Sequence, residues 1–302
     1  MASRRIQFSC WIVVIGMGAT LASAALTEPQ RAQIDQITGA KGAYTAAEDT
    51  YKVSFPRTDV KVAVDGWTMQ PFMGITSWAA FTSAPDGQVI VMGDLTLFED
   101  EVNPVMTALL GNGLEITALH NHFFFDNPRV LFMHIGGHGS VEELATGVRK
   151  ALDTAQKIRS AAPAPANTFG GPPIPAQSTI TAAPLEAVLG AKGQANSGMM
   201  KFTFGRAAQM HGATVGNQMG VNTWAAFAGS DDAAFVDGDF VVLAGELQGV
   251  LKTLRQGGIN IVAIHSHMAG EEPRYIFLHY WGKGKATDLA QTVKKSIEAG
   301  TK

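Results

Sequence analysis

Residues 118–134 read ALHNHFFFDNPRVLFMH, and residues 263–279 read AIHSHMAGEEPRYIFLH. Both stretches contain two histidines separated by one residue, then a Pro-Arg pair, then a third histidine. Such agreement in residue type and spacing indicates an internal duplication. The sequence therefore predicts one structural module that is present twice.

Shorter matches extend the duplication on the N-terminal side. Residues 39–42 (GAKG) return at 190–193, and residues 78–81 (WAAF) return at 224–227. The spacing between matched positions changes only slightly along the chain, as expected when a few loop residues are inserted or deleted. The duplication thus covers nearly the whole chain after its N-terminal segment.

The two copies are joined by a stretch rich in Ala, Pro, Gly and Thr, which is typical of a solvated linker. We predict a first repeat module at 26–159, a linker at 160–183 and a second repeat module at 184–302. Residues 1–24 are predicted to be a signal peptide and are described below.

Each copy mixes helical and strand patterns. Apolar residues recur at helical spacing in 101–110, and 140–158 opens with a Ser-x-x-Glu capping box. Alternating patterns at 76–82, 115–124 and 129–135 predict strands. The fold class predicted is α+β, with two tandem copies of a mainly antiparallel sheet packed with helices. Trp78 and Trp224 lie in such strand patterns and are predicted to be core residues.

Six of the eight histidines occupy matched positions, and residues i and i+2 of a strand point to the same face. If the first hairpin is centred on Asn127 and the second on Glu272, the first histidine of each copy pairs with the third. The imidazoles of each copy would then converge on one face of the sheet. The predicted metal ligands are His120, His122, His134, His265, His267 and His279.

Imidazole ligands suit a divalent transition metal such as zinc. A carboxylate could complete the site or act in catalysis, and four acidic residues at matched positions are candidates. An open zinc position could also activate water, which leads to a second hypothesis: a metal-assisted hydrolase of an envelope ester or phosphate. The candidate catalytic residues are Glu101, Asp94, Glu246 and Asp239.

A metal-free alternative remains open. The histidines could form a pocket with Arg129 or Arg274, which would bind an anionic envelope ligand. Histidines that serve only the structure are a third reading. The copies also differ, since His138 corresponds to Lys283, and a protonated lysine cannot ligate a metal. Whether the protein is an enzyme stays open at this point.

The N-terminus and composition indicate an exported protein. Arg4 and Arg5 precede an apolar run, and Ala22-Ser23-Ala24 supplies a small-residue cleavage site, which is the pattern of a secretory signal. Cleavage would remove Cys10, the only cysteine, and leave no stable membrane span. A net charge of −3 without a basic patch argues against nucleic acid. We expect a periplasmic or secreted protein with a small-molecule or metal ligand.

Residues 118–122 and 128–134, with their second-copy twins, resemble the LppY/LpqO-like family of exported bacterial proteins, a family of unknown function. The resemblance covers nearly the whole mature chain and implies a location in the cell envelope. Some family members are described as lipoproteins. This chain departs from that pattern, because no cysteine follows Cys10.

Overall fold

The computed structural model describes residues 25–300. The predicted signal peptide at 1–24 lies outside these residues.

The described chain contains six α-helices and seventeen strands. The helices are α1 (Glu28–Thr38), α2 (Glu99–Gly111), α3 (Val141–Ala161), α4 (Ala182–Leu189), α5 (Ala244–Gln256) and α6 (Ala286–Ala299). The strands of the first copy are β1 (Ala43–Thr45), β2 (Thr50–Pro56), β3 (Ala63–Val64), β4 (Trp67–Thr68), β5 (Thr76–Ser83), β6 (Val89–Phe98), β7 (Glu115–His120), β8 (Asp126–Asn127) and β9 (Val130–Gly139). Those of the second copy are β10 (Gln194–Asn196), β11 (Met199–Gly205), β12 (Ala208–Met210), β13 (Ala213–Val215), β14 (Asn222–Gly229), β15 (Ala234–Leu243), β16 (Asn260–His265) and β17 (Tyr275–Gly284).

One sheet of twelve strands runs through both copies. Its order is β1-β2-β5-β6-β9-β7-β16-β17-β15-β14-β11-β10, and each named pair within it is antiparallel. The second half of this order mirrors the first. The structure therefore confirms mixed helices and antiparallel sheet in a tandem module.

The helices cover one face of the sheet, here called the helix face. Along β9, Met133 and Ile135 point into the main core, where they meet Leu109 and Val148 from the helices. Their alternating neighbours point to the opposite face, here called the open face. Small sheets cover only part of the open face, where the side chain of Met92 is 63% exposed. The period-2 alternation of β9 thus separates a packed face from an accessible one.

The copies meet at the centre of the sheet, where β7 and β16 pair only at Leu119 and Ile264. Beyond that point two side-chain amides continue the contact. Asn103 of α2 accepts from the Ile261 N–H at 2.8 Å and donates to its carbonyl at 3.1 Å. Gln248 of α5 makes the same pair of bonds with Ile116, at 2.9 and 2.8 Å. Each repeat therefore holds an edge strand of the other.

The linker is more ordered than its composition predicts. Irregular chain spans 162–181 between α3 and α4, close to the predicted 160–183. Most of it is exposed, but the ring of Phe169 packs edge-on against Trp281 with centroids 5.0 Å apart. The Thr179 N–H donates to the Gly229 carbonyl at 2.7 Å. The linker is thus attached to the second repeat.

None of the helices within residues 25–300 has the length and hydrophobicity of a transmembrane span.

The predicted capping box at the start of α3 is confirmed, since the Ser140 hydroxyl accepts from the Glu143 N–H and the Glu143 carboxylate accepts from the Ser140 N–H. Local signals of this kind were sufficient to place α3.

Candidate functional site

The matched histidines lie on the open face because of strand alternation. His134 pairs with Asp94 of β6 on one side and with Ala118 of β7 on the other. Directly paired residues of antiparallel strands point to the same face, and His120 lies two residues beyond Ala118. The structure therefore brings these side chains together on the face that the helices leave open.

The predicted hairpin register is wrong by two residues. His120 pairs with Phe132, and His265 pairs with Phe277, rather than with the third histidine of each copy. The reason lies in the connecting loop, where β8 pairs with β3 instead of closing a symmetric hairpin. A shift of two residues preserves the face of every side chain, so the histidines still share one face.

Ring distances show how closely the imidazoles approach. In the first copy the His120 ring lies 5.1 Å from both the His122 ring and the His134 ring, between centroids. In the second copy the His265 ring lies 5.1 Å from that of His267 and 4.8 Å from that of His279. Each copy thus gathers three imidazoles.

A buried phenylalanine supports each cluster, which the sequence analysis did not predict. The ring of His122 stacks on Phe132 with centroids 3.4 Å apart, and His267 stacks on Phe277 at 3.5 Å. Both phenylalanines are nearly inaccessible to solvent. Stacking holds the second imidazole of each copy flat against the sheet although it follows the end of the strand. Strand parity, which places Phe132 on the same face as His134, could have revealed this support.

Asp94 and Asp239 are the carboxylates of the clusters. Asp239 Oδ2 lies 3.1 Å from His267 Nε2, whereas Asp94 Oδ2 lies 3.9 Å from His122 Nε2. Both aspartates are buried, and the Oδ1 atom of each lacks a hydrogen-bond partner. A buried carboxylate oxygen without a partner is unfavourable unless another group binds it.

Three side chains of the second cluster lie close enough together to hold a metal ion. Ligand atoms of Asp239, His265 and His267 all lie within 4.8 Å of one another, and this is the one such group in the described part of the chain. His267 Nδ1 lies 3.2 Å from the Gly220 carbonyl, which favours a proton on Nδ1 and leaves Nε2, the atom that faces Asp239, as the candidate ligand atom. A tight carbonyl contact of this kind gave no signal in the sequence.

Burial controls the protonation of this cluster. Burial, with smaller contributions from His279 and His267, lowers the pKa of His265 to about 4, so its imidazole is neutral at pH 7. Burial also raises the pKa of Asp239, although the neighbouring imidazoles oppose this shift. His265 Nδ1 is buried and has no hydrogen-bond partner. The neutral His265 therefore presents an unshared electron pair beside a buried carboxyl group.

Glu101 and Glu246, predicted as catalytic candidates, are engaged in other contacts. The fully buried Glu101 carboxylate binds the Arg57 guanidinium at 2.7 and 3.0 Å and forms an ion pair with Arg159 at 2.8 Å. Glu246 binds Arg206 at 2.7 and 3.2 Å. Each also accepts a backbone N–H at the start of its helix. These carboxylates stabilise helix starts through these contacts, and a catalytic role for them stays a prediction.

The predicted anion-binding arginines are both exposed at the starts of β9 and β17. Arg129 lines a cavity of about 270 Å³ between the copies, together with His120, Asn121 and Trp281. Arg274 has no corresponding place in that cavity. The structure therefore joins Arg129, but not Arg274, to a space that a histidine also borders.

Trp78 and Trp224 are not core residues, contrary to the prediction. Both are partly buried on the open face, each directly paired with the aspartate of its cluster. The Lys52 ammonium lies 4.1 Å above the Trp78 ring, and Lys201 lies 4.1 Å above Trp224. The alternation of β5 and β14 was read correctly, but the wrong face was assigned as buried.

Comparisons with solved structures give remote similarities alone. One is to the trimeric bacterial microcompartment shell protein PduB, at 13% identity, over 85% of this chain and 89% of that chain, with a TM-score of 0.22. Another is to EtuB from Clostridium kluyveri, at 12% identity, over 86% and 90%, with a TM-score of 0.22. At such scores the likeness supports no functional argument.

A search of curated proteins gives no match. The resemblance to LppY/LpqO-like proteins is not tested by these comparisons and stays a prediction. A family described as Domain of Unknown Function (DUF1259) matches residues 32–154 and 183–299, one match in each repeat. Since these matches cover most of the sequence, the chain belongs to the DUF1259 family.

Proposed function

We propose that this protein binds a divalent transition metal on the open face of its second repeat, through Asp239, His265 and His267. The observation that carries the proposal is the approach of three ligand atoms to within 4.8 Å of one another. Two imidazoles and one carboxylate form a donor set used for zinc and for non-haem iron(II).

The distances indicate how an ion would be accommodated. Ligand atoms about 2.0–2.1 Å from a tetrahedral zinc ion lie about 3.3 Å apart. The 3.1 Å between Asp239 Oδ2 and His267 Nε2 already matches this spacing. Because the ligand atoms of the group are as much as 4.8 Å apart, His265 would move inward to reach the same ion. An ion would also bind electron pairs that otherwise stay buried without a partner.

The first repeat supports a weaker site of the same kind. Its imidazoles are equally close, but the carboxylate of Asp94 is 3.9 Å from His122 Nε2. Burial lowers the pKa of the His122 imidazole and is the largest contribution to this shift. We therefore expect two sites of unequal affinity rather than two equivalent ones. A periplasmic or secreted location remains part of the proposal.

The experiment is zinc titration of the purified protein by calorimetry, with bound metal measured by mass spectrometry. The variant His265→Ala/His267→Ala should lose the tighter site, while the matched control His120→Ala/His122→Ala should retain it. Tight binding that survives in both variants, and in the variant with all four substitutions, would rule out the proposal. Circular dichroism of each variant establishes that the fold is intact.

A metal-assisted hydrolase is the second candidate. It is favoured by one observation, namely that the three candidate ligands lie on an accessible face, where an ion that they held would keep a fourth coordination position for water. Model carboxylic esters and phosphodiesters should be assayed on zinc-loaded and chelated protein. Turnover that needs zinc and disappears in the His265→Ala/His267→Ala variant supports this function, and its absence across the panel opposes it.

A further inference from the structure

A separate cleft lies on the helix face of the first repeat, between the sheet and α3. Its volume is about 470 Å³, within the range of ~300–1,000 Å³ that is usual for ligand pockets. Its apolar wall includes Phe55, Leu95, Leu97 and Leu152. None of the proposed metal ligands lines it, so it is independent of the site on the open face.

A buried arginine provides the polar end of the cleft. Arg159 lines the cleft and is only 5% exposed. Its Nη2 donates to Asp100, and its Nε lies 2.8 Å from Glu101 Oε1. Its Nη1 is buried and has no hydrogen-bond partner. A buried donor in this state is stabilised by any ligand that brings an acceptor oxygen.

The neighbouring arginines already donate to acceptors of the protein. Arg57 donates to Asp59, to Glu101 and to the Thr96 carbonyl. Arg149 donates to the Thr38 carbonyl and to Asp153. Arg149 is partly exposed, so water can satisfy its other donors. Among the described atoms of these three guanidinium groups, Arg159 Nη1 is the buried donor that has neither a hydrogen-bond partner nor an ion pair.

The charge balance selects against an anion. Arg57, Arg149 and Arg159 face four carboxylates, those of Asp59, Asp100, Glu101 and Asp153. A ligand carboxylate would add a fifth negative charge to three positive ones in a partly buried space, where like charges repel strongly. A neutral carbonyl or ester oxygen can accept the free hydrogen bond without this cost.

A cleft of this size is found in the first repeat but not at the matching place in the second repeat. The corresponding cavity there is about 150 Å³. Phe240 occupies the position of Leu95, and the described part of α6 is 14 residues long against 21 for α3. The added length of α3 brings Arg159 over the cleft. In the second repeat the equivalent space is bordered by Arg206, whose guanidinium bonds to Glu246 and to the Gly300 carbonyl.

We propose that this cleft binds an uncharged, mainly apolar molecule with one acceptor oxygen, such as an ester or ketone, whose oxygen accepts from Arg159 Nη1. The apolar part of the ligand packs between β6 and α3. The site acts independently of metal on the open face.

The test uses Prodan, a neutral naphthyl ketone whose fluorescence shifts to the blue on leaving water. The full chain should bind it saturably with one site, equally well with zinc or with chelator. Leu95→Phe, which introduces the side chain of the second repeat, and Ala155→Leu should each weaken binding at least tenfold. Lys157→Ala, on α3 but outside the cleft lining, should leave binding unchanged.

Three results would overturn the proposal. The first is the absence of saturable binding. The second is binding that neither cleft-filling variant weakens although both variants melt as the parent protein does. The third concerns the ligand class. Methyl 2-naphthoate should displace Prodan, whereas 2-naphthoate at neutral pH should not, and equal displacement by the anion would refute the charge argument.

Discussion

The carboxylate of Asp239 is expected to increase metal affinity but to decrease the stability of the metal-free protein. Burial raises the pKa of its carboxyl group, so the ionised form opposes folding and the metal-free protein loses stability as the pH rises through this ionisation. Asp239→Asn should therefore raise the melting temperature of the metal-free protein. It should also weaken zinc binding at least tenfold, because a neutral amide replaces an anionic ligand.

Zinc calorimetry and thermal melting in chelator measure the two effects. Asp237→Asn is the matched control for zinc binding, since Asp237 lies two residues away on the same strand but is not one of the candidate ligands. An Asp239→Asn protein that binds zinc as the parent does would contradict the role given to this carboxylate.

Glu101 is expected to contribute to stability through its two arginine partners. Glu101→Gln should destabilise the fold by about 3–5 kcal/mol, because it leaves the buried guanidiniums of Arg57 and Arg159 without their shared carboxylate. Zinc affinity should not change. Urea unfolding provides the measurement. Glu246→Gln should cost less, because Glu246 pairs with the single, more exposed Arg206. Equal losses in both variants would show that the shared pairing is unimportant.

At the scale of elements, the contacts of α2 with β16 determine how the repeats are joined. Asn103→Ala leaves the buried N–H and carbonyl of Ile261 without partners, which should cost about 1–3 kcal/mol in the free energy of unfolding. Urea denaturation measures it. Asn112→Ala is a suitable control because its amide bonds within its own helix end at an exposed position. No difference between these variants would refute the importance of the contact.

The segment before α1 is fixed to the end of β5 by Asp49. Burial alone would raise the pKa of Asp49, but hydrogen bonds from Ser83, from the Leu26 N–H and from Tyr44 outweigh it and lower the pKa. A lowered pKa means that Asp49 stabilises the fold above the carboxyl pKa of the unfolded chain and loses this effect as the pH falls through its own lower value. Asp49→Asn should thus flatten the acid side of the stability curve below about pH 4. Urea midpoints measured from pH 2 to 7 test this, and an unchanged curve contradicts it.

Element-level patterns were predictable because they depend on nearby residues. The capping box of α3, the helical spacing of α2 and the strand parity that gathers the histidines are all local. The register was not predictable, since it depends on the pairing of β8 with β3 and on a bulge near Thr117. The arginine partners of Glu101, Arg57 and Arg159, come from 44 and 58 residues away, so these ion pairs had no local signal.

For the whole molecule, the shared sheet predicts joint unfolding of the two repeats. The twelve strands form one sheet, and Asn103 and Gln248 each bond to the opposite repeat. Calorimetry of the metal-free protein should show a single transition, because neither edge strand is complete without the other repeat. The Asn103→Ala/Gln248→Ala variant should show broadening or two transitions. Two well-separated transitions in the parent protein would contradict this view.

The duplicated molecule presents two similar clusters. The aspartate Oδ2 lies 3.1 Å from the imidazole Nε2 in the second cluster and 3.9 Å from it in the first, so metal is expected mainly in the second. The direct measurement is anomalous scattering at the zinc edge from crystals of zinc-saturated protein. The account predicts its strongest peak among Asp239 Oδ2 and the rings of His265 and His267, with lower occupancy beside His120 and His122. Full zinc loading with no peak at the second cluster would contradict it.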